Sequence, residues 1–129
     1  LVSLIRESDK DLSEKSPGKA EAFSKYVDTL YDYLFKTWDS PMSVNSKRTD
    51  ALFEVKHNYQ NAIYDDRQTK GWEGWNTHFL DTILETAQKN KGKRIVVTVG
   101  AEHAYWLREK LRANRSITLL EANDLLGKF

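Results

Sequence analysis

The residues best placed for chemistry form a short turn near the end of the chain, Gly100-Ala101-Glu102-His103. The turn directly follows the apolar run Ile95–Val99, so Glu102 and His103 are expected in the first turn of a helix, at the carboxyl end of a strand. Open α/β sheets bind ligands at that edge, and the free N–H groups of a helix N-terminus favour anions. Since the same helix end disfavours imidazolium, we expect His103 to stay neutral and to act as a metal ligand or general base.

Two neighbours could support His103 in this turn. Gly100 permits a sharp turn or a close backbone approach to a ligand. Glu102 could orient His103, bind a metal or complement the helix dipole, and the sequence leaves these three roles open. Because a strand–Gly–helix joint is common in α/β proteins, the spacing alone does not establish a site.

The first part of the chain, about residues 1–90, is predicted to be a helical scaffold that positions this turn. A weak apolar stripe runs through residues 1–15 and stops at Ser16-Pro17-Gly18. Helical spacing of apolar residues then predicts further helices. They cover residues 19–38, a stretch from about 47 that ends between 66 and 69, and a stretch from about 72, with a break at Gly71.

Residues 94–121 are predicted to form a strand, a helix and a second strand. Ile95–Val99 has the continuous β-branched pattern of a strand buried on both faces, and Ile117–Leu120 is interpreted as the second strand. Such a unit forms a right-handed βαβ crossover with parallel strands. The predicted fold class is therefore α/β, helix-dominated, with three to four helices packed on a short parallel sheet that ends in the βαβ unit.

The predicted sheet is incomplete. Two strands leave both edges open, and Ile95–Val99 is too apolar for an exposed edge. We therefore interpret residues 1–129 as a single domain that is part of a larger fold, the C-terminal part of a longer parent. The missing strands would come from an N-terminal portion of that parent or from a second copy.

The C-terminal region resembles the second motif of the TraB/TIKI-type superfamily, which also takes in haem-uptake ChaN-like and erythromycin-esterase-like proteins. Members of that superfamily pair two Gly-x-x-His motifs, one near each end of the chain and each after a strand, with a largely helical region between. The similarity lies in Arg94-Ile95-Val96-Val97-Thr98-Val99-Gly100-Ala101-Glu102-His103-Ala104-Tyr105-Trp106-Leu107, in Leu111 and in residues 117–119. It extends over residues 65–121 at most.

The resemblance implies a metal-dependent hydrolase, with His103 as metal ligand or base, Glu102 as its helper and Gly100 in the cofactor-binding turn. Members often have an Arg-Asn pair upstream. Arg67 fits that pattern and would clamp an anion or substrate, but Gln68 departs from it. No first Gly-x-x-His motif occurs in this sequence, and catalytic metal sites usually have about three protein ligands. A divalent metal ion is therefore expected only in the full-length parent.

Composition argues against several other classes of protein. The 20 basic and 19 acidic side chains give a formal net charge of +1, which indicates no attraction to nucleic acid. The absence of cysteine excludes disulfides and thiolate metal sites. No apolar run approaches the roughly 18 residues needed to span a bilayer. The sequence does not fix a compartment.

Three further features are each weighed against a plain structural role. His57 has Glu-x-x-His spacing with Glu54, but di-iron sites need two such copies, so we expect His57 at a surface or packed between helices. His78 is expected to be half-buried. A set of aromatic residues could line a pocket or form core: Trp72, Trp75, Phe79, Tyr105 and Trp106. The alternative function is a non-catalytic binding or structural domain that docks a partner, or the rest of its own chain, through its helical face.

Overall fold

A computed structural model describes residues 1–128 as an assembly of helices. The helices are α1 (Val2–Lys15), α2 (Pro17–Thr37), α3 (Pro41–Val44), α4 (Lys47–Ile63), α5 (Asp66–Lys89), α6 (Ala101–Ala113) and α7 (Ala122–Leu126). Residues 1–128 contain no strand. The prediction of an α/β fold with a short parallel sheet is therefore wrong, and this part of the protein is helical.

The segment predicted as the first strand is an exposed connection between α5 and α6. Residues 94–100 belong to no helix or strand, and Val96 is 89% exposed. Residues 117–120 lie in a second irregular connection, before α7. A strand gets its backbone hydrogen bonds from a neighbouring strand, and these two segments do not pair. β-branched residues favour an extended backbone, but no strand of the described chain lies beside these segments. The predicted βαβ unit therefore does not form.

The predicted helix break at Gly71 is also wrong. The break comes earlier, because α4 ends at Ile63 and Asp65 caps α5, its Oδ1 accepting a hydrogen bond from the Arg67 backbone N–H at 3.0 Å. Gly71 lies inside α5, where an added Cβ would sit 2.6 Å from Ile5 Cγ1. A Cβ on Gly74 would likewise sit 2.7 Å from Leu1 Cδ2. These glycines let α1 pack closely against α5.

The buried core lies between α2 and α4, and α6 packs beside it. Leu30 and Leu34 of α2 pack with Phe53 of α4, and Leu107 and Leu111 are the buried residues of α6. The apolar faces of these helices exclude water and hold α6 against α4 and α5. The first turn of α6, with Glu102 and His103, is thereby fixed against two longer helices.

An ion pair between α6 and α4 supplements this packing. Arg108 of α6 donates hydrogen bonds to the carboxylate of Asp50 in α4 and, at 3.0 Å, to Asn45 Oδ1. Both charged side chains are mostly shielded from solvent, so this pair fixes the orientation of α6 along α4.

In residues 1–128 no helix combines the length and the apolar character that a membrane span requires.

Candidate functional site

Three helices bring two histidines onto opposite faces of one tryptophan. The rings of His57 from α4 and Trp72 from α5 stack with centroids 3.8 Å apart and an angle of 28° between their planes. His103 from α6 stacks on the other side of Trp72 at 4.4 Å and 15°. Phe79 meets His103 edge to face at 5.2 Å. These ring contacts restrict the position of the His103 imidazole.

Asn76 fixes the orientation of His103 within this stack. The Asn76 side-chain amide is fully buried, and its Nδ2 donates to the Trp72 carbonyl at 3.1 Å. That bond directs Asn76 Oδ1 toward His103 Nδ1, 2.9 Å away. Because Oδ1 can only accept, Nδ1 of His103 carries the proton and donates it. In the neutral ring Nε2 therefore keeps a free lone pair.

Burial favours the neutral form of His103. It lowers the pKa of the imidazole, and nearby Lys56 lowers it further, while the carboxylate of Glu102 acts in the opposite direction. The direction agrees with the expectation from sequence, but the main cause is burial rather than the helix dipole. An uncharged ring with a free Nε2 can accept a proton or bind a cation.

Glu102 faces α4 rather than the ring of His103. Its Oε2 accepts a hydrogen bond from Lys56 Nζ at 2.6 Å and lies 3.7 Å from His57 Nε2. Burial would raise the pKa of Glu102, but Lys56, His57 and His103 outweigh it and lower that pKa. Glu102 is therefore an ionised group paired with Lys56, and the orienting role considered for it belongs to Asn76.

His57 is the buried partner on the far side of Trp72. It is 4% exposed, and its Nδ1 lies 3.0 Å from the Tyr105 hydroxyl, within hydrogen-bond distance. Burial, helped by Lys56, lowers the pKa of His57 to about 4. Burial also raises the pKa of Tyr105 to about 12. Both groups are thus uncharged near neutral pH, as expected for side chains packed between helices.

Arg67 does not join this cluster. Its guanidinium is bound by the carboxylates of Asp65 and Asp11, with Glu7 at 3.6 Å. Its hydrogen bond to Asp65 holds the pKa of that carboxyl well below its usual range. Asn76 lies nine residues further along α5, roughly 13 Å of helix. Arg67 therefore links α1 to the start of α5, and its predicted role as an anion clamp has no contact in its favour.

His103 lines a cavity of about 430 Å³ between α5, α6 and the segment that connects them. The wall is mainly apolar, with polar contributions from Thr82, Thr98 and Glu102, and its apolar residues are Phe79, Ile83, Val97, Val99 and Leu107. Gly100 also lines the cavity, with φ −56°, so its backbone does not need a glycine. The volume suits a small molecule with an apolar body.

A metal ion does not fit these residues alone. Nowhere in residues 1–128 do three or more His, Cys, Asp or Glu side chains come together as a metal site. Glu102 is paired with Lys56, so His103 Nε2 is the atom of this turn whose lone pair is left for a metal ion. One nitrogen falls short of the roughly three protein ligands that catalytic metal sites use. We therefore assign no chemical step to a metal.

Comparison of the chain with models of protein families, with curated proteins and with solved structures finds no match. The resemblance to the TraB/TIKI-type superfamily accordingly stays a prediction.

Sequence reasoning overlooked the residue that matters most to His103. Trp72, Asn76 and Phe79 are spaced four and three apart, so they share one face of α5. An asparagine on the same helix face as aromatic residues could have indicated this role, because a buried side-chain amide requires a hydrogen-bond partner. His78 was expected to be half-buried, and the structure places it on the exposed side of α5.

Proposed function

We propose that this chain contributes a neutral imidazole base to a hydrolytic site, as its resemblance to metal-dependent hydrolases of the TraB/TIKI type implies. One observation supports the proposal above all. The hydrogen bond from His103 Nδ1 to buried Asn76 Oδ1 leaves Nε2 unprotonated on a residue that lines the cavity. Such a nitrogen can take a proton from water as the water oxygen attacks a carbonyl carbon.

The surrounding residues favour this proton transfer. When Nε2 takes the proton, Asn76 Oδ1 continues to accept from Nδ1–H and stabilises the cation. The negative charge of Glu102 also favours the protonated ring. Lys56 opposes it, and its hydrogen bond with Glu102 moderates the charge of both. Asn76 is thus proposed as a positioning residue, and Arg67 is left outside the site.

Metal assistance in this proposal depends on ligands from elsewhere. One free imidazole nitrogen needs about two further protein ligands before it forms a catalytic metal site. These would come from an N-terminal portion of a longer parent or from a second copy of the chain. The same portion would supply the other half of the site that the superfamily resemblance implies.

Hydrolysis of a small apolar ester by the full chain tests the proposal. We expect p-nitrophenyl butyrate to be cleaved faster by the folded chain than by the same chain unfolded in urea. His103→Ala should remove that excess, a loss of at least about 100-fold for a general base. His78→Ala is the matched control, because His78 is an exposed histidine on α5. Equal rates for wild type and His103→Ala, or no excess over the unfolded chain, would contradict the proposal.

The alternative, docking of a partner through the helical face, has less support. The most exposed large apolar side chains of the helices are Phe35 and Val55, at 68% and 55%, and they lie on different helices, α2 and α4. Single apolar residues scattered over a surface are ordinary and need no partner. We therefore place the function at the His103 cavity rather than on a helical face.

A further inference from the structure

The connection between α5 and α6 presents an unpaired apolar stretch next to three cations. We call residues 91–99 the connecting segment. Its most exposed apolar residue, Val96, is 89% accessible, and Ile95, Val97 and Val99 are between 36% and 44% accessible. Backbone groups of residues 94–99 make no hydrogen bond to another backbone group within residues 1–128. This exposed apolar stretch is thus also a stretch whose backbone donors and acceptors have no backbone partner in the described residues.

These properties suit pairing with a strand. The β-branched residues of the connecting segment favour an extended backbone, and unpaired N–H and C=O groups accept an added strand. The segment is already exposed, so pairing there disrupts no core residue. Strand addition buries the valines and supplies the missing backbone hydrogen bonds in one step.

The charges of the connecting segment indicate which strand fits. In the described residues no carboxylate lies within ion-pair distance of Lys91, Lys93 or Arg94, and the Lys93 ammonium donates to Asn90 Oδ1 at 3.4 Å. A second copy would add three more cations. The same segment of that copy contains no Asp or Glu between residues 91 and 99, and Glu102, the next acid along the chain, is held by Lys56. Opposite charges across a strand pair stabilise it, and like charges destabilise it.

We propose that the connecting segment docks an extended, acidic segment of another polypeptide by strand addition. Backbone hydrogen bonds form along residues 95–99, apolar side chains of the partner cover Val96, and its carboxylates face Lys93 and Arg94. The connecting segment also forms one wall of the His103 cavity through Val97 and Val99. Docking requires neither the His103 imidazole nor hydrolysis, so each proposal can fail without the other.

Binding of synthetic peptides to the full chain tests this proposal. The probe is a fluorescent peptide of alternating valine and threonine flanked by glutamates, and its counterpart carries lysines in place of the glutamates. Fluorescence anisotropy should detect the acidic peptide and not the basic one, with affinity falling as salt increases. A self-association run without peptide, by analytical ultracentrifugation, accompanies each titration.

Variants identify the binding surface. Val96→Pro removes a backbone donor and should weaken binding of the acidic peptide at least 10-fold, as should Arg94→Glu. Arg115→Glu is the matched control, since Arg115 is exposed and forms no ion pair in the described residues, and it should bind like wild type. Thermal melts check that each variant is folded, and Arg94→Glu decides the case if Val96→Pro does not fold.

Several results would overturn the proposal. They are equal binding of both peptides, no binding of the acidic one, or affinity that Arg94→Glu and Val96→Pro leave unchanged. Dimerisation without peptide that Val96→Pro abolishes would assign the segment to a second copy instead. Displacement of the acidic peptide by a duplex oligonucleotide would assign the three cations to nucleic acid.

Discussion

At the scale of single residues, the proposed chemistry depends on which ring nitrogen of His103 carries the proton. A solvent-exposed imidazole exchanges its proton between both nitrogens, but a fully buried amide oxygen at 2.9 Å accepts from Nδ1 only. Removing that acceptor, or giving it a negative charge, should therefore change the pKa and the tautomer of His103 more than a substitution at an exposed position would.

Asn76→Asp should raise the pKa of His103 by about 1–3 units, because a carboxylate at this distance favours the imidazolium. Base-dependent hydrolysis would then need a higher pH, shifting the pH–rate profile in the alkaline direction. The measurement is the titration of the His103 ring protons by NMR. Thr77→Asp adds the same charge at an exposed position of α5 and should leave the titration nearly unchanged. An unmoved His103 pKa in Asn76→Asp would show that the two side chains are not in contact.

His57 should make stability depend on pH. Its pKa is about 4 in the folded chain and 6.5 in the reference state, so between these values the unfolded chain binds more protons. Stability is then complete above pH 6.5 and is lost as the pH falls toward 4, by up to about 3 kcal/mol. Urea unfolding at pH 7.5, 6 and 5 measures this slope, which His57→Gln should flatten and His78→Gln should preserve. Parallel slopes for wild type and His57→Gln would contradict the buried, neutral state of His57.

At the scale of elements, α-helical periodicity predicted the structure well and β-branched runs did not. The helix predicted over residues 19–38 corresponds to α2, and the helix predicted within residues 94–121 corresponds to α6. Both predictions succeeded because a helix satisfies its backbone groups within its own sequence. A strand depends on a neighbour, so the pattern at 95–99 could not by itself produce one. The helix break predicted at Gly71 was wrong for a related reason. Gly71 leaves room for the Ile5 side chain of α1, and that contact joins residues far apart in sequence.

Gly71→Ala should destabilise the protein even though alanine is the better helix former. The new Cβ would lie 2.6 Å from Ile5 Cγ1, so the Ile5 side chain or α1 itself must shift, at a net cost of about 1–3 kcal/mol. Gly18→Ala is the control, because a Cβ there meets nothing within 4 Å, and it should be neutral or stabilising by about 0.5 kcal/mol. Urea unfolding of the two variants measures the difference. A Gly71→Ala protein as stable as Gly18→Ala would show that α1 does not pack against α5 in this way.

At the scale of the whole molecule, the candidate site exists only because three helices meet. His57, Trp72 and His103 come from α4, α5 and α6, and no local sequence pattern predicts that the Trp72 ring stacks with both histidines. Sequence reasoning could find His103 and Glu102, since they follow a recognisable turn. It could not find Asn76 as a partner of His103 or place Arg67 between α1 and α5, because both depend on how the helices are packed. The fold therefore determines the ring orientation on which the proposed chemistry rests.

The tautomer of His103 at pH 7.5 tests this account most directly. Long-range ¹H–¹⁵N NMR correlation distinguishes a protonated ring nitrogen from an unprotonated one. We predict that the folded chain holds His103 as the Nδ1–H tautomer with Nε2 unprotonated, and that the same chain in urea loses this single form. A folded His103 with its proton on Nε2, or one that exchanges between both tautomers as in urea, would contradict the claim that Asn76 holds the proton on Nδ1 and leaves Nε2 unprotonated.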